Sequence, residues 1–180
     1  LRMLLTKPIT RTQLLMSKFL AGGIYTFLIV LWLGFMAVGI GRYLFGPGDL
    51  MVLNSDGLVI LQEGDIMWRY ICAFCVAFLA LFTISSLSIC LSCFSDNSIG
   101  PIVATMAIIL FFTIINALDV PIFDPIRPLL FTTHMASWRS FFEDPLPWQQ
   151  IKQSSLVLIV HNVLFIGISI FTFNRKDITV

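Results

Sequence analysis

The sequence predicts an all-α membrane protein. It would be a polytopic bundle of four transmembrane helices, with a short cytoplasmic amphipathic helix at the N-terminus and an outer amphipathic helix before the last span. Three observations predict this. Hydrophobic residues make up 58% of the 180 residues and charged residues only 12%, against about a quarter charged in a soluble domain. Mean hydropathy is +0.94, too high for a chain that must cover its surface with polar groups. Four runs contain no Asp, Glu, Lys or Arg: Phe19–Gly41, Tyr70–Ser95, Asn97–Leu118 and Gln153–Asn174.

Each run reaches the roughly 20 residues that, rising about 1.5 Å apiece, cross a hydrocarbon core of about 30 Å. Backbone groups in lipid must bond within their own segment, so the runs are helices. This places spans near 19–41, 70–93, 98–118 and 154–173, in a single transmembrane domain filling residues 1–180. The net charge of +1 and the absence of a basic block give no reason to invoke nucleic acid.

Four crossings put both ends on one side. The first segment carries Arg2, Lys7, Arg11 and Lys18 without an acid, and the tail carries Arg175 and Lys176. The two long loops hold most of the acids and only Arg42, Arg69, Arg127, Arg139 and Lys152 as bases. Lys and Arg near span ends mark the cytoplasmic side. Both ends are therefore expected in the cytoplasm, in a plasma membrane such as the bacterial inner membrane. Trp68, Tyr70, Tyr43 and Trp148, with Lys18, Arg175 and Lys176, stand at span boundaries, where amphipathic rings and basic heads anchor a helix to the bilayer.

In the second outer loop, Pro121, Pro125 and Pro128 break the first part. Phe131, Met135, Trp138 and Phe142 then recur at spacings of four, three and four. That spacing predicts a short amphipathic helix lying on the outer surface or plugging the bundle mouth, with His134 interfacial within it.

Candidate chemistry inside the spans is sparse. Cys72 with Cys75, and Cys90 with Cys93, form two C-x-x-C pairs. Both fall in the second span about 27 Å apart, too far to share one metal, so packing is the expected role and no metal site is implied. His161 and Asn162 are the intramembrane polar candidates. Such groups face protein or a water-filled path rather than lipid. Ser85, Ser86, Ser88 and Ser92 in the second span, and Gly34, Ala37, Gly39 and Gly41 in the first, suit close helix approach. No G-x-x-x-x-G-K-S/T, H-E-x-x-H or G-x-S-x-G occurs, and the spans hold no carboxylate. These patterns give no catalytic group, and the chain is not expected to be an enzyme.

The N-terminal stretch carries the most information. Pro8 stops a first short helix containing Leu4 and Leu5. Thr10-Arg11-Thr12-Gln13 then fits a capping box for a new helix leading through Lys18 into the first span. Such a capped bend can pass force between a soluble partner and the bundle. It serves equally as a basic flank held by anionic lipid.

The run Leu4-Leu5-Thr6-Lys7-Pro8-Ile9-Thr10-Arg11-Thr12-Gln13-Leu14-Leu15 with Lys18 resembles the cytoplasmic segment of type-2 ATP-binding-cassette exporter permeases. That family reads Leu-Leu-x-x-Pro-Ile/Val-Ser/Thr-Arg-x-x-Leu-x-x-x-Lys before its third span. The tail Phe173-Asn174-Arg175-Lys176-Asp177-Ile178 is similar to the family's ending.

The resemblance implies a permease subunit that couples ATP hydrolysis elsewhere to transport. An ATP-binding-cassette ATPase subunit would hold ATP and Mg; this chain would need no cofactor. A second permease, identical or different, would complete the complex in the lipid bilayer. Leu4, Leu5, Lys7, Pro8, Ile9, Thr10 and Arg11 would meet the ATPase. The family has six spans and a Glu-x-x-x-Gly-Thr lead-in, so the present chain is expected to be the C-terminal portion, carrying the last four. The alternative is a non-transporting scaffold or sensor, which has no need of the capped bend.

Overall fold

The computed structural model describes residues 10–54, 57–95, 97, 99–118 and 120–175, with Arg11 and Asn54 described through their backbone alone. Helix α1, Arg11–Gly34, starts where the capping box places it. The Thr10 hydroxyl accepts the Gln13 N–H at 3.3 Å, and Gln13 Oε1 accepts the Thr10 N–H at 3.0 Å. Two donors that a helix start would leave unmet are thereby satisfied. The helix continues through a π-helical stretch, Phe35–Ile40, into α2, Gly41–Phe45. Gly46 ends it at φ +78°, a left-handed conformation that glycine adopts at no steric cost.

The first loop is not irregular. Strands β1, Leu50–Asn54, and β2, Gly57–Leu61, pair antiparallel with Leu50 opposite Leu61 and Asn54 opposite Gly57. Leu50, Val52, Val59 and Leu61 face the core, while Met51, Leu53, Leu58 and Ile60 lie 57–82% exposed. That alternation is the period-two signature of a strand with one buried face.

Helix α3 runs Glu63–Phe94 and α4 runs Ile99–Ala117, with Pro101 in its first turn, where the missing N–H costs nothing. Short 3-10 turns at Pro121–Phe123 and Arg127–Leu129 lead to α5, Phe131–His134, and a 3-10 helix over Ser137–Phe142. Helix α6, Trp148–Arg175, closes the chain. Among the described residues four helices are long and apolar enough to cross a membrane: Thr12–Phe45, Glu63–Phe94, Ile99–Ala117 and Trp148–Arg175.

The core sits in three tiers around α3. At the terminal end of the bundle, Leu15 and Phe19 of α1 pack with Cys93 of α3 and near Ile166, Ile170 and Phe173 of α6. Ala80 and Leu87 meet Leu158 and the inserted Phe131 in the middle. Leu61, Ile66, Ala73 and Val76 meet Phe141, Phe142 and Ile151 at the loop end. The first tier joins α1 and α6, so Thr10 and Arg175 lie on the same side.

Two sequence expectations are corrected here. The second membrane helix starts at Glu63, not near residue 70. Asp65 and Arg69 do not stop it. Two acids suit the positive N-terminal end of a helix, and Arg69 is buried and bonded by tertiary contacts. The second correction is the outer amphipathic helix, which is not one α-helix. Ala136, at φ −87° and ψ 0°, breaks it, and the second half is 3-10. The buried residues Phe131, His134, Ser137 and Ser140 recur every three positions, the period of a 3-10 turn rather than an α-helix. The short N-terminal helix expected around Leu4 and Leu5 lies outside the described residues.

Candidate functional site

The interior carries a descending series of polar contacts between α3, α6 and the α4–α6 connection. At the loop end Arg69 is 5% exposed, and its Nη1 donates to the carbonyls of Phe141 at 3.1 Å and Glu143 at 3.0 Å. Its Nε has no hydrogen-bond partner, and its guanidinium lies 5.5 Å from the Trp68 ring. This arginine therefore holds the end of the 3-10 segment against α3.

One layer down, His134 is buried. Its Nε2 lies 2.9 Å from the Pro128 carbonyl and its Nδ1 2.9 Å from the Ser154 hydroxyl. A carbonyl only accepts, so Nε2 carries the proton and, in the neutral ring, Nδ1 accepts from Ser154. The histidine expected at the interface is thus an internal tie between the connection and α6. Phe131 goes deeper. Its ring sits 5.8 Å from both Phe112 of α4 and His161 of α6, and 6.3 Å from Phe165. His161 is thirteen residues into α6, about 20 Å along its axis. The connection is a plug entering the bundle, not a cover lying on it.

Below the plug, Asn162 bridges the two long helices. Its Oδ1 accepts from Ser86 at 2.8 Å, and its Nδ2 donates to Thr83 at 2.8 Å and to the Leu158 carbonyl at 3.0 Å. Thr83 and Ser86 are fully buried. An amide with both ends bonded in this way fixes the register of α3 against α6. His161, beside it, donates from Nδ1 to the Val157 carbonyl at 2.8 Å. The histidine stays within its own helix and the aromatic cluster, while the asparagine crosses to α3.

The remaining candidates are distributed. Thr10 is exposed at the start of α1, and Lys18 is exposed two turns on. Trp68 and Trp148, proposed as separate anchors, stack on each other at 6.2 Å and 9°, with the Trp68 N–H 3.4 Å from Asp65 Oδ1. Arg175 lies 4.2 Å over the Phe171 ring. Leu4, Leu5, Lys7, Pro8, Ile9, Lys176 and the side chain of Arg11 lie outside the described residues. Cys90 and Cys93 are buried and Cys75 is exposed. Among the described residues no three His, Cys, Asp or Glu come together.

Sequence reasoning missed Arg69, Thr83 and Ser154. Arg69 read as a loop charge because it precedes an uncharged run. Its position four residues before Ala73, one helical turn along the same face, is what places it inside.

Four membrane-length apolar helices around a hydrogen-bonded plug define a multi-pass membrane protein. The chain belongs to the family described as "Protein of unknown function (DUF2705)", whose model matches residues 1–179. No curated protein and no solved structure matches it.

Proposed function

We propose that the chain is the membrane-spanning permease part of an ATP-binding-cassette exporter. The observation that carries this reading is the capped start of α1 at Thr10. The residues that resemble the family's cytoplasmic motif end on a capping box that opens a helix running unbroken to Phe45. A push on that start acts on the whole helix rather than on a frayed end.

In this reading both chain ends face the cytoplasm of a plasma membrane, the bacterial inner membrane in a bacterium. The segment Leu4–Arg11 meets a separate ATPase subunit that holds ATP and Mg. A second permease subunit, identical or different, completes the pathway. The chain itself hydrolyses nothing. Arg11 contacts the partner at the bend, and Lys18, Arg175 and Lys176 hold the helix ends at the headgroups.

The test is co-purification of the full chain with an ATP-binding-cassette ATPase. Replacing Pro8–Arg11 by Ala should abolish the association while leaving the bundle's melting temperature within a few degrees. An ATPase that stays bound after this change overturns the reading.

A further inference from the structure

A second feature lies away from the plug, between α1 and α3. The two helices touch through glycine. A Cβ on Gly22 would lie 2.8 Å from the Ser85 hydroxyl, and one on Gly23 3.2 Å from the Phe82 ring. Nearer the loop end a ladder of rings on α3 lies against α1, where a Cβ on Gly34 would lie 3.3 Å from the Phe74 ring. Tyr70 stacks on Phe74 and Phe78 on Phe82, and Phe27 of α1 meets Phe78 edge-on at 5.9 Å. The result is an apolar cavity of about 410 Å³ walled by Phe27, Val30, Gly34, Phe74, Cys75 and Phe78. Its size falls in the range of small-ligand sites, about 300–1,000 Å³.

This cavity continues upward into a second one of different character. Val38, Met67 and Tyr70 line both. The upper cavity, about 450 Å³, lies at the mouth of the bundle among Arg42, Phe45, Gly46 and Asp49. Arg42 pairs with Glu63 at 2.7 Å, which cancels both charges. Among the described residues Asp49 accepts the backbone N–H of Glu63 at 3.1 Å and makes no ion pair, so its formal negative charge is not cancelled there. The exposed Phe45 and the Tyr70 ring line the same chamber, and aromatic faces attract cations. The π-helical stretch Phe35–Ile40 falls at the junction, and Val38, which lines both cavities, belongs to it. Such wide turns recur at functional sites.

We infer that this two-chambered cleft binds a cationic amphiphile, with its apolar tail between α1 and α3 and its positive head beside Asp49, Phe45 and Tyr70. The chemistry follows from the chambers. The lower one offers no charge to a head group, and the upper one offers one uncompensated carboxylate. As the transported class, such a molecule rests on the permease reading; as a ligand of the cleft, it does not.

The experiment uses the full chain in phosphatidylcholine nanodiscs. The probe is dodecyltrimethylammonium carrying a photoreactive diazirine in its tail, compared with the matching dodecyl sulfate and dodecanol. Cross-links mapped by peptide mass spectrometry should fall on residues 27–38 and 67–78. The ammonium probe should label about ten times more than the sulfate, the scale of one charge-assisted contact. Asp49→Asn should lower labelling by the ammonium probe about tenfold and leave the alcohol unchanged, while Cys75→Trp, at an exposed cavity wall, should lower all three.

Equal labelling by the three heads overturns the inference, and so does labelling spread evenly over Ile102, Val103 and Met106 of α4, which is partition into bilayer only. The head-group comparison on the unaltered chain decides the matter even if a variant fails to fold. Head-selective labelling without ATPase co-purification leaves the cleft standing and removes the permease reading. ATPase binding without head selectivity does the reverse.

Discussion

The two long connections on the loop side solve the same problem in opposite ways. The β1–β2 hairpin bonds its backbone to itself, residue by residue, from Leu50–Leu61 to Asn54–Gly57. Its backbone is thereby satisfied without the bundle, while Leu50, Val52, Val59 and Leu61 pack on the core and the other apolar face stays exposed. Among the described residues the connection between α4 and α6 has no strand and one α-helical turn, yet it reaches far deeper. Short turns satisfy many of its carbonyls from its own backbone, and side chains meet others: Arg69 for Phe141 and Glu143, His134 for Pro128, Thr133 for Arg127, and Arg127 for Leu118. Irregular backbone survives at membrane depth only where protein supplies the missing partners. The difference teaches that a segment of short turns can reach deep into this molecule where side chains supply the donors that its own backbone lacks.

The largest effect should come from the deepest residue of the plug. Phe131→Ala removes a ring that is 1% exposed and touches α4 and α6, and large-to-small changes of this kind cost about 3–5 kcal/mol. Reversible unfolding in mixed micelles measures it. A loss below about 1 kcal/mol would show that the plug is no deeper in energy than the hairpin.

Arg69→Met should come next. It keeps most of the volume and orphans two carbonyls, at about 1–3 kcal/mol each, offset in part because a buried charge is removed. Limited trypsin treatment of sealed vesicles exposing the loop side should then show faster cutting after the exposed Arg139. Unchanged cutting together with unchanged stability would mean that the two carbonyls find other donors.

The smallest effect is expected on the hairpin. Leu53→Ser with Leu58→Ser alters a cross-strand pair on the exposed face and should change stability by no more than about 0.5 kcal/mol per site in detergent. A loss several times larger would place that face in contact with something ordered, and the contrast between the connections would fail.

Much of the bundle was legible in the sequence because lipid tolerates so few charges. The four uncharged runs mark the four membrane helices, and Thr10 with Gln13 marks the start of α1. What charge alone could not show is where a charged residue finds protein partners. Arg69 looked like a boundary because its acceptors lie more than seventy residues away in sequence. The hairpin went unread although Leu50–Leu53 and Leu58–Leu61 flank a turn-forming stretch ending in Gly57. Periodicity was half right in the plug: Phe131 and Phe142 of the α-helical stripe are buried, but so are the polar His134, Ser137 and Ser140 that the stripe leaves out, while Trp138 is exposed. Asn162 was visible as a polar group in a span, but Thr83, its partner on α3, carried no signal of its own.

The unbroken rod from Thr10 to Phe45 has a mechanical consequence. At about 1.5 Å per residue its thirty-four residues from Thr12 to Phe45 measure about 51 Å, some 20 Å more than a hydrocarbon core of about 30 Å. Helix α3 braces this rod at several heights: at Gly22 and Gly23 near its capped end, through Phe27 against Phe78, and at Gly34 against Phe74. Beyond Gly34 no residue of the π-helical stretch or of α2 is buried. The rod is therefore held along most of its length and least held at its loop end, where the π-helical stretch, a feature at which helices bend, leads to Gly46 in the wall of the upper chamber.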